Sequence, residues 1–377
     1  MTPQPRHSVR NILTDQDNWE KYKSSSAHLL RGEQIKEIDS MLLCNDPRKG
    51  FFAYYCNNCD KYQFRHFCCN SRACSKCGKY YVDKWAEKTT KRLLQVNHSH
   101  IIFTMPSILW GLIKDNFDCI KELSETAYRV IVEVISESSK QKITPGMISS
   151  LHTYGEDMKY NIHFHTIVTN GGMSAKYGEW RNIDYLPFNL LRLKWKHLSL
   201  DVITKHIEKT PDNQGILEAV RYYQYHSGFN VKVIKTNIPR KELVRYIARY
   251  IRHPPISNRR IIDYSGKGIT IVCNKKKGYI TFTVNEFIGR LIQHIPLKGF
   301  KLVRHFGLYS RTKHGKVPIR KDKQESISKY FHSKNSIPCS QCGKMLEPID
   351  YFPPSLPEGP PNKTMFGERI TDWIKPS

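Results

Sequence analysis

A dense group of cysteines near the start of the chain is the feature that most restricts its fold. Seven of the eleven cysteines fall within 34 residues, a clustering typical of metal binding rather than of dispersed disulfide bridges. Two C-x2-C pairs, CNNC and CSKC, stand 14 residues apart in this group. Each such turn can direct two thiolates at one ion, so the pairs predict a tetrahedral zinc site. Its four ligands would be Cys56, Cys59, Cys74 and Cys77. The alternative is a set of reduced cysteines packed as small apolar side chains.

Several other side chains are candidate zinc ligands. They are Cys44, His66, Cys69, Cys339 and Cys342. The last two form a C-x2-C pair near the other end of the sequence, and this pair needs ligands from elsewhere to hold zinc. His314 and His332 are candidates for that role, and two free thiols are the alternative.

A second pattern, His163-Phe164-His165, lies in a segment typical of a β-strand. Residues two apart in a strand face the same side, so both imidazoles are predicted to point at one site. The short connector DMKY joins this segment to a preceding strand-like run in a predicted hairpin, and Glu156 ends that run. Two nitrogens and one carboxylate oxygen would form a three-ligand site for a divalent cation. With 16 histidines in the chain, an accidental His-x-His pair is the alternative.

A third pattern is Tyr246 and Tyr250, four residues apart in a predicted helix over residues 237–251. This spacing places the two phenols side by side, and Arg245 and Arg249 flank them. Beside a metal-held phosphate, a phenolate can attack phosphorus and form a covalent phosphotyrosine. Half-buried packing of the two rings is the alternative.

The net charge of +26 makes a polyanion the first partner to consider. Residues 240–277 carry a net charge of +9 and residues 298–323 a net charge of +8. Most of the excess positive charge therefore lies around the tyrosine pair and after it in the sequence. Such a surface predicts strongly salt-dependent binding of nucleic acid. Candidate DNA contacts are Arg72, Lys76, Arg245, Arg249, Arg252, Arg260, Lys275, Lys276, Lys277 and Arg304. A solvated basic face is the alternative for each of them. No secretory signal or membrane-length apolar stretch is found, which predicts a cytoplasmic protein.

In their order along the chain these motifs resemble the two-tyrosine HUH transposases of the insertion-sequence-91 family. The resemblance extends from about residue 42 to residue 309. The matching blocks are Cys44, CNNC at 56–59, CNSRACSKC at 69–77, HIIFTMP at 100–106, LHTYGE at 151–156, HFHTIVTNGG at 163–172, YIARY at 246–250, ISN at 256–258, Arg260, EFIGR at 286–290 and RHFG at 304–307. Ala73 stands where the family commonly has His, and Glu156 where Gln is usual. A Glu ligand would favour Mg²⁺ or Mn²⁺.

The resemblance implies a DNA transposase of a mobile element, associated with the bacterial nucleoid. It implies metal-dependent cleavage of single-stranded DNA at element ends and target DNA, through 5′-phosphotyrosine intermediates on Tyr246 and Tyr250. The cofactors would be structural Zn²⁺ and catalytic Mg²⁺ or Mn²⁺, the latter held by His163, His165 and Glu156. A rolling-circle replication initiator, a relaxase and a non-catalytic zinc-containing nucleic-acid-binding protein are the alternative functions.

The expected fold class is α+β, with an antiparallel nuclease sheet, flanking helices and a small N-terminal zinc-binding domain. The expected division is a zinc-binding DNA-recognition domain at residues 1–95 and a nuclease domain at residues 96–260. An insertion is expected near residues 175–230, and a basic C-terminal region with a C-x2-C pair at residues 261–377.

Overall fold

The fold is α+β, as expected from the sequence. The computed structural model describes residues 7–90, 92–176, 178–183, 186–222, 228–238, 242–243, 254–273, 278–310 and 337–352. The helices are α1 (Val9–Thr14), α2 (Asn18–Ser25), α3 (Gly32–Leu42), α4 (Ser75–Thr90), α5 (Trp110–Ile113), α6 (Phe117–Ser139), α7 (Phe188–His206), α8 (Pro211–Tyr222) and α9 (Val284–Ile292). None of these helices is both long enough and apolar enough to cross a membrane, in the part of the chain described.

The strands form three antiparallel sheets. They are β1 (Phe51–Cys56), β2 (Lys61–His66), β3 (His98–Thr104), β4 (Ile143–Tyr154), β5 (Tyr160–Ser174), β6 (Trp180–Asn182), β7 (Val231–Ile238), β8 (Ile261–Tyr264), β9 (Gly268–Cys273), β10 (Gly278–Thr283), β11 (Val303–Gly307) and β12 (Glu347–Phe352). The central sheet has the order β11-β4-β5-β3-β7, and β6 pairs with the end of β5. The hairpin of β4 and β5 confirms the one predicted around the connector DMKY.

The helical layer covers one face of the central sheet. In α6 the apolar residues recur every three or four positions, so they form one buried stripe against Phe103 and Phe164 of the sheet. The predicted insertion near residues 175–230 contains α7 and α8, which pack into this same core. Trp195 of α7 is fully buried, and its indole N–H donates to the carbonyl oxygen of Thr104 at 2.7 Å. These two helices are therefore part of the layer that supports the sheet.

The three N-terminal helices pack against the β8–β10 sheet and α9 in a second core. α9 begins with a capping box, in which Thr283 and Glu286 satisfy each other's backbone N–H groups. The Gln34 side chain donates to the carbonyl oxygen of Ile292 at 3.0 Å, and Arg31 donates to that of Ile295 at 2.6 Å. Contacts thus cross the predicted boundaries at residues 95 and 260, and the division into those three domains stays a prediction.

The third sheet is small and has the order β12-β1-β2. β1 and β2 form a hairpin, and β12 adds to the free edge of β1 with Phe51 opposite Phe352. β1 and β12 are therefore joined although almost 300 residues separate them in the sequence.

Candidate active site and metal centres

The β4–β5 hairpin determines the position of the histidine pair. His163 and His165 lie on the sheet face opposite the helical layer, whereas Phe164 between them is buried in the helix-packed core. Their partners on β4 are His152, opposite His163, and Ser150, opposite His165. The alternation of a β-strand therefore directs both imidazoles to one side, as the sequence predicted.

A third histidine joins the pair. Ring nitrogens of His152, His163 and His165 lie within 4.8 Å of one another, and the ring centroids of His152 and His165 are 4.7 Å apart. His152 and His165 are buried and His163 is half-buried. Three imidazoles on one face with further positions open to ligands fit a divalent transition-metal ion such as Mn²⁺ better than Mg²⁺, which prefers oxygen ligands.

Glu156 is not in this group of ligand atoms, in contrast to the prediction. β4 ends at Tyr154, so Glu156 lies in the turn beyond the last paired residues. The Glu156 carbonyl oxygen accepts a hydrogen bond from Arg260, which ties the turn to the β8–β9 region. The DMKY connector on its own would place His152 opposite His165. A register shift between His152 and Tyr154 moves His152 opposite His163, so this pairing was not predictable from the sequence.

Hydrogen bonds orient the imidazoles. The Nδ1–H of His163 donates to the carbonyl oxygen of Asn161 at 2.8 Å, and Nδ1 of His165 lies 2.9 Å from Nε2 of His100. Nε2 is therefore the nitrogen that His163 and His165 can each present to a metal ion. Burial lowers the pKa of His100 to about 4, so this positioning histidine is neutral near pH 7. His100 was not among the predicted site residues.

The cysteine-rich segment also reaches this site. Burial raises the pKa of Tyr154, whose ring stacks on His152 with centroids 5.1 Å apart, and the positive charge of Arg72 opposes that rise. The backbone N–H of Arg72 donates to the Glu37 carboxylate at 3.2 Å. Arg72 is thus half-buried between the N-terminal helices and the histidine site, whereas Lys76 is exposed on α4.

The predicted nucleophiles Tyr246 and Tyr250 lie outside the described residues. So do Arg245, Arg249, Arg252, Lys275, Lys276 and Lys277, together with His314 and His332. Leu243 is the last described residue before Tyr246, and it is fully buried. It packs against Ile148 and Ile167, which lie on the same sheet face as the three histidines.

Two further predicted DNA contacts, Arg260 and Arg304, are also half-buried. Arg260 donates from Nε to the carbonyl oxygen of Val272 at 3.0 Å as well as to Glu156, so its guanidinium joins β9 to the turn between β4 and β5. Arg304 on β11 lies over the ring of Phe300, 5.5 Å from its centroid, and burial lowers its pKa.

Eight of the eleven cysteines form two groups of four, in contrast to the predicted pairing of CNNC with CSKC. Within each group the sulfur atoms lie within 4.8 Å of one another. Cys74 and Cys77, at the start of α4, group with Cys44 and Cys69. Cys56 and Cys59, at the tip of the β1–β2 hairpin, group with Cys339 and Cys342. The two C-x2-C turns do not come together, because the hairpin places Cys56 and Cys59 beside Cys339 and Cys342 rather than beside the start of α4.

The first group lies where the end of α3 meets the start of α4. The Cys44 sulfur is 3.5 Å from that of Cys77 and 3.7 Å from that of Cys74, and Cys69 is 3.4 Å from Cys77. Hydrogen bonds within this group lower the pKa of Cys44 and raise the pKa of Cys69 and of Cys74, so the shifts oppose one another. These four residues confirm that the cysteine cluster can hold structural zinc.

The remaining zinc candidate, His66, is in neither group. It lies on β2 with its ring 5.4 Å from that of Phe51, and burial lowers its pKa. Cys68 is exposed and is likewise outside both groups.

Two protein families and two known proteins match this chain. Residues 14–105 match a family described as a transposase zinc-binding domain of the insertion-sequence-91 type, and residues 146–316 match a family described as a putative transposase. The chain is 27% identical over 332 residues to the transposase for insertion sequence element IS801 of Pseudomonas savastanoi pv. phaseolicola, covering 81% of this chain and 76% of that protein. It is 22% identical over 311 residues to the putative transposase y4qJ of Sinorhizobium fredii, covering 76% and 77% respectively. No solved structure matches the chain.

Proposed function

The chain belongs to the insertion-sequence-91 family of transposases, and we propose that it cleaves and rejoins single-stranded DNA by the two-tyrosine HUH mechanism. In this proposal His152, His163 and His165 hold a catalytic divalent cation, and Tyr246 and Tyr250 are the nucleophiles. The N-terminal zinc-bearing part recognises the ends of the mobile element.

One observation carries the proposal: Leu243, three residues before Tyr246, packs on the sheet face that bears the three histidines. Leu243 is buried there against Ile148 and Ile167. Tyr246 and Tyr250 follow Leu243 by three and seven residues. In the helix that the sequence predicts, these positions return to within about 60° of the Leu243 side. The phenols would then face the histidines across the sheet surface.

For the proposed reaction, the protein must hold the phosphodiester beside a tyrosine and neutralise its negative charge. His152, His163 and His165 would hold the divalent cation, which would neutralise charge on the non-bridging oxygens of a phosphodiester. A tyrosine loses its phenolic proton and its oxygen attacks phosphorus, while the P–O3′ bond breaks and the departing oxygen takes up a proton. The 5′ phosphate stays esterified to the enzyme. Attack by a 3′-hydroxyl reverses the step, so rejoining needs no other energy source.

The tyrosines can be tested by trapping the covalent product. A single-stranded oligonucleotide carrying an element end and a 3′ label should give a denaturant-stable labelled adduct, because the fragment with the 5′ phosphate stays attached. Single Tyr246→Phe and Tyr250→Phe variants should each shift the adduct to the remaining tyrosine, and the double variant should form none. Peptide mass mapping identifies the site.

Tyr222→Phe is the matched control, because Tyr222 ends α8 and is 80% exposed. It should form the adduct at the wild-type rate. Persistence of the adduct in the double tyrosine variant would refute the mechanism. An intact oligonucleotide with the wild-type protein and Mn²⁺ would instead indicate a DNA-binding protein without this activity.

The third metal ligand can be tested by comparing His152→Ala with Glu156→Ala. His152→Ala should weaken Mn²⁺ binding by at least about tenfold and lower cleavage in parallel, because one of three imidazoles is lost. Glu156→Ala should leave the Mn²⁺ affinity near that of the wild type. Mn²⁺ binding measured by electron paramagnetic resonance decides between them, and the opposite order would restore Glu156 as the ligand.

A further inference from the structure

The second cysteine group joins two distant parts of the chain. Cys56 and Cys59 belong to the β1–β2 hairpin, whereas Cys339 lies 280 residues after Cys59 and is followed by Cys342. The matched families end at residues 105 and 316, so the later pair lies outside both matches.

The sulfur distances fit one tetrahedral ion. Four thiolates at about 2.3 Å from zinc lie about 3.8 Å from one another in an ideal tetrahedron. The Cys56 and Cys342 sulfurs are 3.6 Å apart, and those of Cys59 and Cys339 are 3.9 Å apart. A disulfide would bring two sulfurs to about 2.05 Å, and neither contact approaches that length.

The backbone around Cys339 is shaped as a metal-binding turn. The Cys339 N–H donates to the Lys344 carbonyl at 2.7 Å, and Gly343, at φ 74°, donates back to the Cys339 carbonyl at 3.0 Å. Two further N–H groups point at the Cys339 sulfur, from the Gln341 backbone at 3.4 Å and the Gln63 side chain at 3.0 Å. Such donors stabilise a thiolate, the form that coordinates zinc.

The described side chains at this corner of the molecule form only a small apolar core. This core consists of four buried residues, Tyr54, Cys56, Cys339 and Leu346, with three partly buried neighbours. An isolated two-stranded hairpin is only marginally stable in water, and a core this small needs a metal or a disulfide to support it. β12 provides the third strand, and it pairs with β1 directly after the Cys339–Cys342 turn.

We propose that Cys56, Cys59, Cys339 and Cys342 bind a second structural zinc ion, which fastens the C-terminal segment to the N-terminal hairpin. The protein would then carry two zinc sites of four cysteines each, one local and one formed by both ends of the chain. This site is independent of the proposed chemistry at Tyr246 and Tyr250, and zinc content reports on it without any cleavage assay.

Zinc stoichiometry of matched variants tests the proposal. Cys56→Ser with Cys59→Ser, Cys339→Ser with Cys342→Ser, and the variant with all four changes should each lose one zinc ion per chain relative to the wild type. The quadruple variant should lose no more than either double variant, because both pairs serve one ion. Cys68→Ser is the control and should keep the wild-type zinc content. Unchanged zinc in the double variants, or loss of two ions in the quadruple variant, would overturn the shared site.

Alkylation of the unmodified protein gives a second measurement that does not depend on variants folding. Cys342 and Cys68 are both exposed, so an alkylating reagent can reach each of them. In the zinc-loaded protein Cys342 should react at least about tenfold more slowly than Cys68, because a coordinated thiolate is a weak nucleophile. After chelation of zinc, Cys56, Cys59, Cys339 and Cys342 should become reactive together. Equal rates for Cys342 and Cys68 before chelation would contradict the proposal.

Discussion

His294, just beyond α9, links the turn of the β4–β5 hairpin to the second core. Its Nε2–H donates to the carbonyl oxygen of Met158, and its Nδ1 accepts a hydrogen bond from the Thr153 hydroxyl, each at 3.1 Å. Its ring packs against Tyr154, with centroids 5.4 Å apart. Burial, and to a smaller extent the positive charge of Lys114, lower the pKa of His294 to about 4. The imidazole is therefore neutral in the folded protein near pH 7, with Nδ1 accepting from the Thr153 hydroxyl.

This neutral histidine predicts a loss of stability in mild acid. The unfolded chain takes up a proton near pH 6.5 and the folded protein only near pH 4. Between these values the unfolded state binds more protons, so the free energy of unfolding falls as the pH falls. From pH 7 to pH 5.5 the titration of His294 should lower the free energy of unfolding by about 1 kcal/mol.

Denaturant unfolding of the wild type and of His294→Gln at both pH values measures that contribution. The variant should lose less stability than the wild type over the same interval, since glutamine does not titrate. Zinc content is measured at each pH, so that release of zinc is not mistaken for protonation of His294. Equal losses in the two proteins would show that His294 does not carry the effect.

Single residues were predictable from the sequence where a local pattern sets their direction. His163 and His165 follow from strand alternation alone, whereas His152 becomes a partner only through the register of β4 on β5. The grouping of the cysteines was not predictable, because Cys74–Cys77 and Cys339–Cys342 have the same C-x2-C spacing and either pair could complete a site with Cys56 and Cys59. Cys339 and Cys342 are brought close to Cys56 by the pairing of β12 with β1, a contact that no local sequence pattern indicates.

At the scale of secondary-structure elements, the β4–β5 hairpin supports the histidine site at one end and is closely packed at the other. The register shifts between Pro145 and Met147, and Gly171 and Gly172 lie opposite this irregularity. A Cβ atom on Gly172 would lie 2.4 Å from the Thr144 carbonyl oxygen, so glycine allows the two backbones to approach. The sequence predicted the hairpin because its alternation and connector are local. The irregularity depends on the packing of both strands and was not predicted.

Gly172→Ala should therefore destabilise the protein by about 1–3 kcal/mol, because the contact is with rigid backbone of β4 rather than with a flexible side chain. Gly215→Ala is the matched control. Gly215 is exposed within α8 and a Cβ there meets no atom within 4 Å, so this change should raise stability by about 0.5–1 kcal/mol. Both are measured by denaturant unfolding with zinc present, and similar stabilities for the two variants would contradict the packing argument.

At the scale of the whole molecule, basic residues lie on the same side of the central sheet as the three histidines. The helical layer covers one face of the central sheet and leaves the histidines on the other. From the cysteine-rich segment, Arg72 reaches that site near Tyr154, and α4 presents Lys76, Lys79 and Lys84 to solvent. Lys84 lies 4.5 Å from the ring of exposed Tyr80, a combination of cation and aromatic ring that suits nucleic-acid binding. Composition predicted the polyanionic partner, but only the fold brings charges from separate segments to one side.

Binding of single-stranded DNA should consequently weaken steeply with salt, and α4 should account for part of that dependence. Each phosphate contact contributes about −0.7 to the slope of log K against log salt on single strands. Replacing Lys76, Lys79 and Lys84 with Ala should make the slope less steep by about 2, if all three contact phosphates.

Lys205→Ala is the control, because Lys205 lies on α7 in the helical layer and binds Glu122 at 2.9 Å. Fluorescence anisotropy at several salt concentrations measures both slopes. A triple variant with the wild-type slope would place the DNA path away from α4, and a shallower slope in Lys205→Ala would place it over the helical layer.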